Sequence, residues 1–222
     1  MKRCGSFPGV SGKALLTFGL IIMVISILAC TTNKKEGAEA VSGPSVVTQT
    51  DTAITSRVSL VKGAGKVLVV FFSQGTAGRR IAEDIAALTN ADIEEIQEKK
   101  KSSGYFFTGF NATFGIATPI QSPERTPEDY EIVFVCTPIW SWSLCPPVRS
   151  WLRLFKGKLP KAAFITVSGD TDPKKVVKTM TKESGREPFA YVGFIEKDFE
   201  LSNFDVYAKK IAELVEPLRK SE

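Results

Sequence analysis

Ser73-Gln74-Gly75-Thr76-Ala77-Gly78 combines hydroxyl donors with glycines in a short stretch. The hydroxyls of Ser73 and Thr76 can donate to an anion, and Gly75 and Gly78 let the backbone approach one closely. Arg79 and Arg80 follow, where a helix is expected to begin. A cation at the positive end of a helix costs a few tenths to about 1 kcal/mol, and a bound phosphate would offset that cost. Two solvated arginines beside an ordinary strand-to-helix turn fit the same residues.

A second group lies at Thr137-Pro138-Ile139-Trp140-Ser141-Trp142. An indole can stack on a flat ring with a large apolar contact, so Trp140, or alternatively Trp142, is a candidate stacking partner. Packing of both rings on neighbouring helices is the other reading. A third turn, Ser168-Gly169-Asp170, has the composition of a turn in any fold. Asp170 and Asp172, beside Pro173, read as helix-cap residues rather than as a catalytic pair. Cys136 ends an apolar run and is expected to be packed. Cys145 precedes a helix start that can lower its pKa, and a disulfide between the two stays open if the domain is exported. The chain has no histidine, which removes His-based acid–base catalysis, Ser-His-Asp triads and His-containing metal sites.

The elements that must carry these groups alternate. Val67 to Phe72 is a continuous apolar run, the mark of a strand buried on both faces. Arg79 to Leu88 carries apolar residues at helical spacing, and Ala91 to Ile96 supplies a second strand. Ile132 to Cys136 is another buried strand, followed by a loop over Thr137 to Leu144 and a helix over Val148 to Phe155 that opens on Pro146-Pro147. Ala162 to Val167 and Thr171 to Lys182 repeat the unit. Phe189 to Phe194 gives a last strand and Asp205 to Leu218 a last amphipathic helix. Five strands separated by helices imply a doubly wound, five-stranded parallel sheet in a three-layer α/β/α arrangement. Ligands in such sheets bind beyond the carboxyl ends of the strands. The three groups above occupy those ends.

The first residues read as an address. Met1-Lys2-Arg3 and Lys13 precede an apolar run from Ala14 to Ala29, which is short for a membrane span and is laid out as a signal peptide. Ile27-Leu28-Ala29-Cys30 resembles the bacterial lipobox, which implies a signal peptide over 1–29 and lipidation of Cys30; an uncleaved N-terminal anchor is the alternative. Either reading makes the chain membrane-anchored and extracytoplasmic. Residues 30–65, rich in Ser, Thr, Gly, Ala, Lys and Glu, read as a flexible tether, with Val58 to Val61 able to pack on the domain that follows over 66–222. Loss of Lys2, Arg3 and Lys13 leaves 26 basic against 24 acidic residues, too even a balance for nucleic acid.

Val67 to Leu88 resembles the opening of flavodoxin-family proteins. Asp129-Tyr130 to Arg149, reading Asp-Tyr-Glu-Ile-Val-Phe-Val-Cys-Thr-Pro-Ile-Trp and then Pro-Pro-Val-Arg, resembles the family's second flavin loop. Gly104 to Phe114 is similar to an aromatic helix that several bacterial members carry. The resemblance covers about residues 66–218 and implies a flavodoxin-like fold that binds FMN. It places the phosphate at Ser73, Gln74, Gly75, Thr76, Ala77, Gly78 and Arg79. The ring goes to Thr137, Pro138, Ile139, Trp140, Ser141 and Trp142, and its pyrimidine edge to Ser168, Gly169 and Asp170. Two hydroxyl positions of the family's phosphate loop are glycine here. The implied role is electron transfer to an unidentified redox partner at the membrane surface. Two alternatives stand beside it: a binding or scaffolding lipoprotein that kept the fold and lost the flavin, and a flavin-dependent quinone-type reductase.

Overall fold

The computed structural model describes residues 53–63, 65–99 and 111–219. The signal peptide, Cys30, most of the expected tether and most of the expected aromatic helix lie outside the described residues; within that helix, 111–113 forms one helical turn.

Five parallel strands form the centre: β1 (Val67–Phe71), β2 (Asp92–Glu95), β3 (Ile132–Trp140), β5 (Lys161–Ser168) and β6 (Ala190–Ile195). They lie in the order β2-β1-β3-β5-β6, and a short β4 (Ser143–Leu144) pairs antiparallel with the end of β3. The helices are α1 (Ala77–Thr89), α2 (Pro146–Leu154), α3 (Lys174–Ser184) and α4 (Phe204–Arg219).

The apolar run of β1 becomes a central strand because its side chains divide between two cores. Val67, Val69 and Phe71 join Ile132, Phe134 and Cys136 of β3 under α1 and α4. Leu68, Val70 and Phe72 join Val133, Val135 and Phe164 under α2 and α3. α1 buries Ile81, Ala82, Ile85 and Leu88, one stripe of a 3.6-residue period, and ends on Asn90 in the left-handed region at φ 55°. α2 starts on Pro146-Pro147, which supply pre-set helical φ where no N–H is needed. The expected three-layer α/β/α architecture is present.

The domain begins earlier than expected. Ile54, Val58 and Val61 are buried in the α1/α4 core. Val61 N–H donates to the Leu88 carbonyl at 2.8 Å, Arg57 pairs with Asp205 at 2.8 Å, and Arg219 donates to the Ser59 carbonyl. Residues 53–61 therefore form a strap along α1 and α4, and the packed chain starts by Ala53 rather than at Lys66. Val58 and Val61 pack as the sequence allowed, and Ile54, alone among polar residues, is the anchor it did not show.

After β2 the chain makes an excursion whose two arms meet at an antiparallel bridge between Glu98 and Ile120. The returning arm is held by Glu94, whose carboxylate accepts the backbone N–H groups of Glu124 at 3.0 Å and Arg125 at 3.2 Å. Among the described residues no helix is long and apolar enough to cross a membrane.

Candidate functional site at the carboxyl edge of the sheet

Consecutive strands lie level at this edge, Phe71 beside Cys136 and Cys136 beside Ile165. The loops after β1, β3 and β5 are thereby brought side by side. The chain moves outward from β1 to β2 and then crosses to β3 on the other side, so the topological switch point falls between β1 and β3, where ligands of open α/β sheets bind.

The first loop turns directly into α1. Ser73 Oγ donates to the Gly75 carbonyl at 2.5 Å and accepts the Gly75 N–H at 3.3 Å, closing a tight turn. Thr76 stands at the N-cap in a helical conformation with no side-chain capping bond. Its hydroxyl, and the first N–H groups of α1, are thus left to an outside acceptor. A Cβ at Gly78 would meet Ser73 Cβ at 3.2 Å, so glycine there lets the loop fold over the helix end, while a Cβ at Gly75 would meet nothing within 4 Å. Gln74, Gly75 and Thr76 are exposed, and Ala77 is half-buried.

The two arginines do not turn toward this loop. Arg79 pairs with Glu95 at the end of β2 and lies over the Phe71 ring at 5.3 Å. Arg80 lies over the Tyr207 ring at 4.6 Å, with its Nε 3.9 Å from Asp84. Asp84 in turn accepts the Tyr207 hydroxyl at 2.5 Å. Their charge at the start of α1 is therefore offset by carboxylates of the protein itself. Glu95 lies too far along the chain to have marked itself as the partner of Arg79, whereas Asp84 stands one helical turn from Arg80.

The stretch expected as an open loop over Thr137 to Leu144 is instead mostly strand. β3 continues to Trp140, and β4 returns antiparallel with Trp140 opposite Ser143 and Ile139 opposite Leu144. Ser141 at φ 47° and Trp142 at φ 56° form the two-residue turn. Type I′ hairpin turns need positive φ at both positions and usually use Asn-Gly, so this pair gives no hairpin signal in the sequence. Trp140 is half-buried and meets Phe72 edge-on, with centroids 5.7 Å apart. Trp142 at the tip is 70% exposed. Thr137 is wholly buried and donates to the Pro138 carbonyl, and Pro138 and Ile139 are half-buried. Phe72, which backs Trp140, is the contributor that the sequence reading missed; it was visible only as the last residue of an apolar run.

In the third loop Ser168 Oγ accepts the Thr171 N–H at 3.0 Å, and Gly169 and Asp170 are exposed. Asp172 accepts the Lys174 N–H at 2.9 Å, the start of α3. Cys136 and Cys145 are free and buried. Burial pushes the Cys136 thiol up to about 12 and the Cys145 thiol well above its ordinary value. The helix-lowered thiol and the disulfide are both corrected: desolvation outweighs the start of α2. Among the described residues no group of acidic or cysteine side chains is placed to hold a metal ion.

No family model and no curated protein matches the sequence. Among solved structures, the chain is similar to a Lactobacillus acidophilus flavoprotein in complex with FMN, at 17% identity over 60% of this chain and 95% of that one, with a TM-score of 0.52. It is also similar to a Bacteroides eggerthii protein described as a flavoprotein, at 18% identity over 69% of this chain and 98% of that one, with a TM-score of 0.54. With the strand order β2-β1-β3-β5-β6, these likenesses establish that the chain has a flavodoxin-like fold.

Proposed function

We propose that this protein binds FMN at the carboxyl edge of its sheet and transfers electrons at a membrane surface, to which it is anchored through a lipid on Cys30. The observation that carries the flavin reading is the uncapped start of α1 beneath the Ser73–Gly78 loop, next to a Trp-bearing hairpin at the switch point. In this reading Thr76 and the first N–H groups of α1 hold the phosphate. Trp140, braced by Phe72, flanks the ring with Thr137, Pro138, Ile139, Ser141 and Trp142. Ser168, Gly169 and Asp170 border its polar edge. Bound FMN would supply one- and two-electron redox chemistry, and the chain would bind it, orient it and tune its surroundings.

A titration tests this directly. FMN fluorescence should be quenched stoichiometrically by the protein. Thr76→Ala should weaken binding by about tenfold or more, the worth of a hydrogen bond to a charged group. Absence of quenching at tens of micromolar FMN overturns the reading. The flavin-free scaffold is favoured by one observation, the engagement of Arg79 by Glu95. Under it, Thr76→Ala and Trp140→Ala change nothing. Anchoring is tested separately: mature protein from a bacterial host should begin at Cys30 and carry acyl mass that Cys30→Ser abolishes.

A further inference from the structure

Four of the 11 residues of α3 are lysines, and their spacing gathers them on one side. On a helix of 3.6 residues per turn, Lys174, Lys178, Lys182 and Lys175 fall within an arc of about 100°, which no other α3 residue enters. Val176, Val177 and Met180 are buried on the opposite side, so the lysine crest faces away from the core. All four lysines are exposed, and among the described residues none of them pairs with a carboxylate. Lys156, also exposed, extends the crest past the helix end: a Cβ on Gly185 would stand 3.7 Å from its Cγ.

Helix stability does not account for this pattern. The first turn of α3 holds no acidic residue, and Lys174 and Lys175 there oppose the macrodipole, with Asp172 at the Lys174 N–H as a partial offset. The exposed side of α4, by contrast, mixes signs in Asp205, Lys209, Glu213 and Glu216. We propose that α3 is the face by which the domain lies against the anionic headgroups of a lipid bilayer. An arc of lysines with no apolar residue suits a charged lipid surface rather than a protein interface, whose centre is depleted in lysine. Tyr191, 44% exposed, borders the crest in a groove shared with Lys174, Lys178 and Glu187, and tyrosine favours the headgroup level. Because α3 starts just after the Ser168–Asp170 loop, this orientation brings the carboxyl edge of the sheet close to the bilayer. Such docking rests on the membrane placement proposed for the chain but needs no lipid on Cys30.

Sedimentation with vesicles tests it, using the full-length chain with Cys30→Ser so that no acyl chain contributes; failure of docking and failure of anchoring are then read separately. Partitioning is compared between vesicles of phosphatidylcholine and vesicles of equal parts phosphatidylcholine and phosphatidylglycerol. The chain should prefer the anionic vesicles, and high salt should remove the preference. Each lysine near such a surface contributes about fivefold, so Lys178→Gln with Lys182→Gln should reduce the preference about 25-fold. Lys62→Gln with Lys209→Gln removes the same charge from exposed positions on the α1/α4 side and should leave the preference within about twofold. Lys2, Arg3 and Lys13 are common to every variant and cancel. Equal losses from the two pairs overturn the proposal. No loss from the α3 pair also overturns it and leaves the crest to an acidic protein surface.

Discussion

Replacing Tyr207 by Phe removes one oxygen from the α1/α4 interface and changes little else in shape. That oxygen donates to Asp84 at 2.5 Å, and both residues are essentially inaccessible, at 0% and 1% exposure. Burial and the neighbouring Asp84 carboxylate both raise the Tyr207 phenol far above its ordinary pKa, so the hydroxyl keeps its proton and remains a donor at every working pH. Arg80 Nε also stands 3.9 Å from the Asp84 carboxylate. A hydrogen bond to a charged group contributes about 1.5–3 kcal/mol, and the burial of both groups puts the loss toward the upper end. For a domain of about 170 residues, 2–3 kcal/mol corresponds to a fall in Tm of roughly 5–10 °C. Urea denaturation gives the free energy directly. The cycle Tyr207→Phe, Asp84→Asn and the double variant isolates the pair, with an expected coupling of about 1.5 kcal/mol or more. A loss below about 0.5 kcal/mol, or no coupling, would refute the reasoning.

Glu183 sits between Arg149 and Arg153, at 2.5 and 2.8 Å. Burial works to raise its pKa, but hydrogen bonds from Arg153 and Arg149 and their charges overcome it and hold the carboxyl below 4.5. Its stabilisation is therefore present above that value and lost as pH falls through the depressed one, so Glu183→Gln should flatten the acid limb of the stability curve in an acid-denaturation series. Ile54→Ala should cost about 2–4 kcal/mol in urea unfolding if the strap belongs to the core, as its complete burial implies. Ser141→Asn, placing a residue that tolerates the left-handed region at φ 47°, should stabilise by about 0.5–1 kcal/mol and raise Tm in a thermal melt by a few degrees.

The central strands were legible because burial on both faces leaves an unbroken apolar run, as in Val67 to Phe72 and Ile132 to Cys136. Helix phase was legible for the same local reason, since Ile81, Ala82, Ile85 and Leu88 repeat with the helical period. The carboxyl-edge loops followed from those elements by topology alone. The orientation of the arginines was not legible. Arg79 and Arg80 look alike in sequence, yet one meets Glu95 of β2 and the other Tyr207 of α4, residues that only the folded chain brings to them, with Asp84 one helical turn from Arg80. The Ser141-Trp142 hairpin was hidden because the turn uses residues that carry no positive-φ signature. The strap was legible at Val58 and Val61 but not at Ile54, which stands alone among polar residues and whose destination exists only once α1 and α4 are side by side.

The strap also determines how the domain bears load. A pull on the chain before Ala53 meets a row of contacts laid one after another: Ile54, the Arg57–Asp205 pair, Val58, the Ser59 carbonyl under Arg219, and Val61 at Leu88. These can open in sequence, each at a small fraction of the global unfolding free energy. The parallel ladders of β1 with β2 and β3 hold several bonds that must yield together. Tension is thus spent on peeling residues 53–61 before it reaches β1, and the strap works as a mechanical fuse that shields the sheet and its loop-bearing edge.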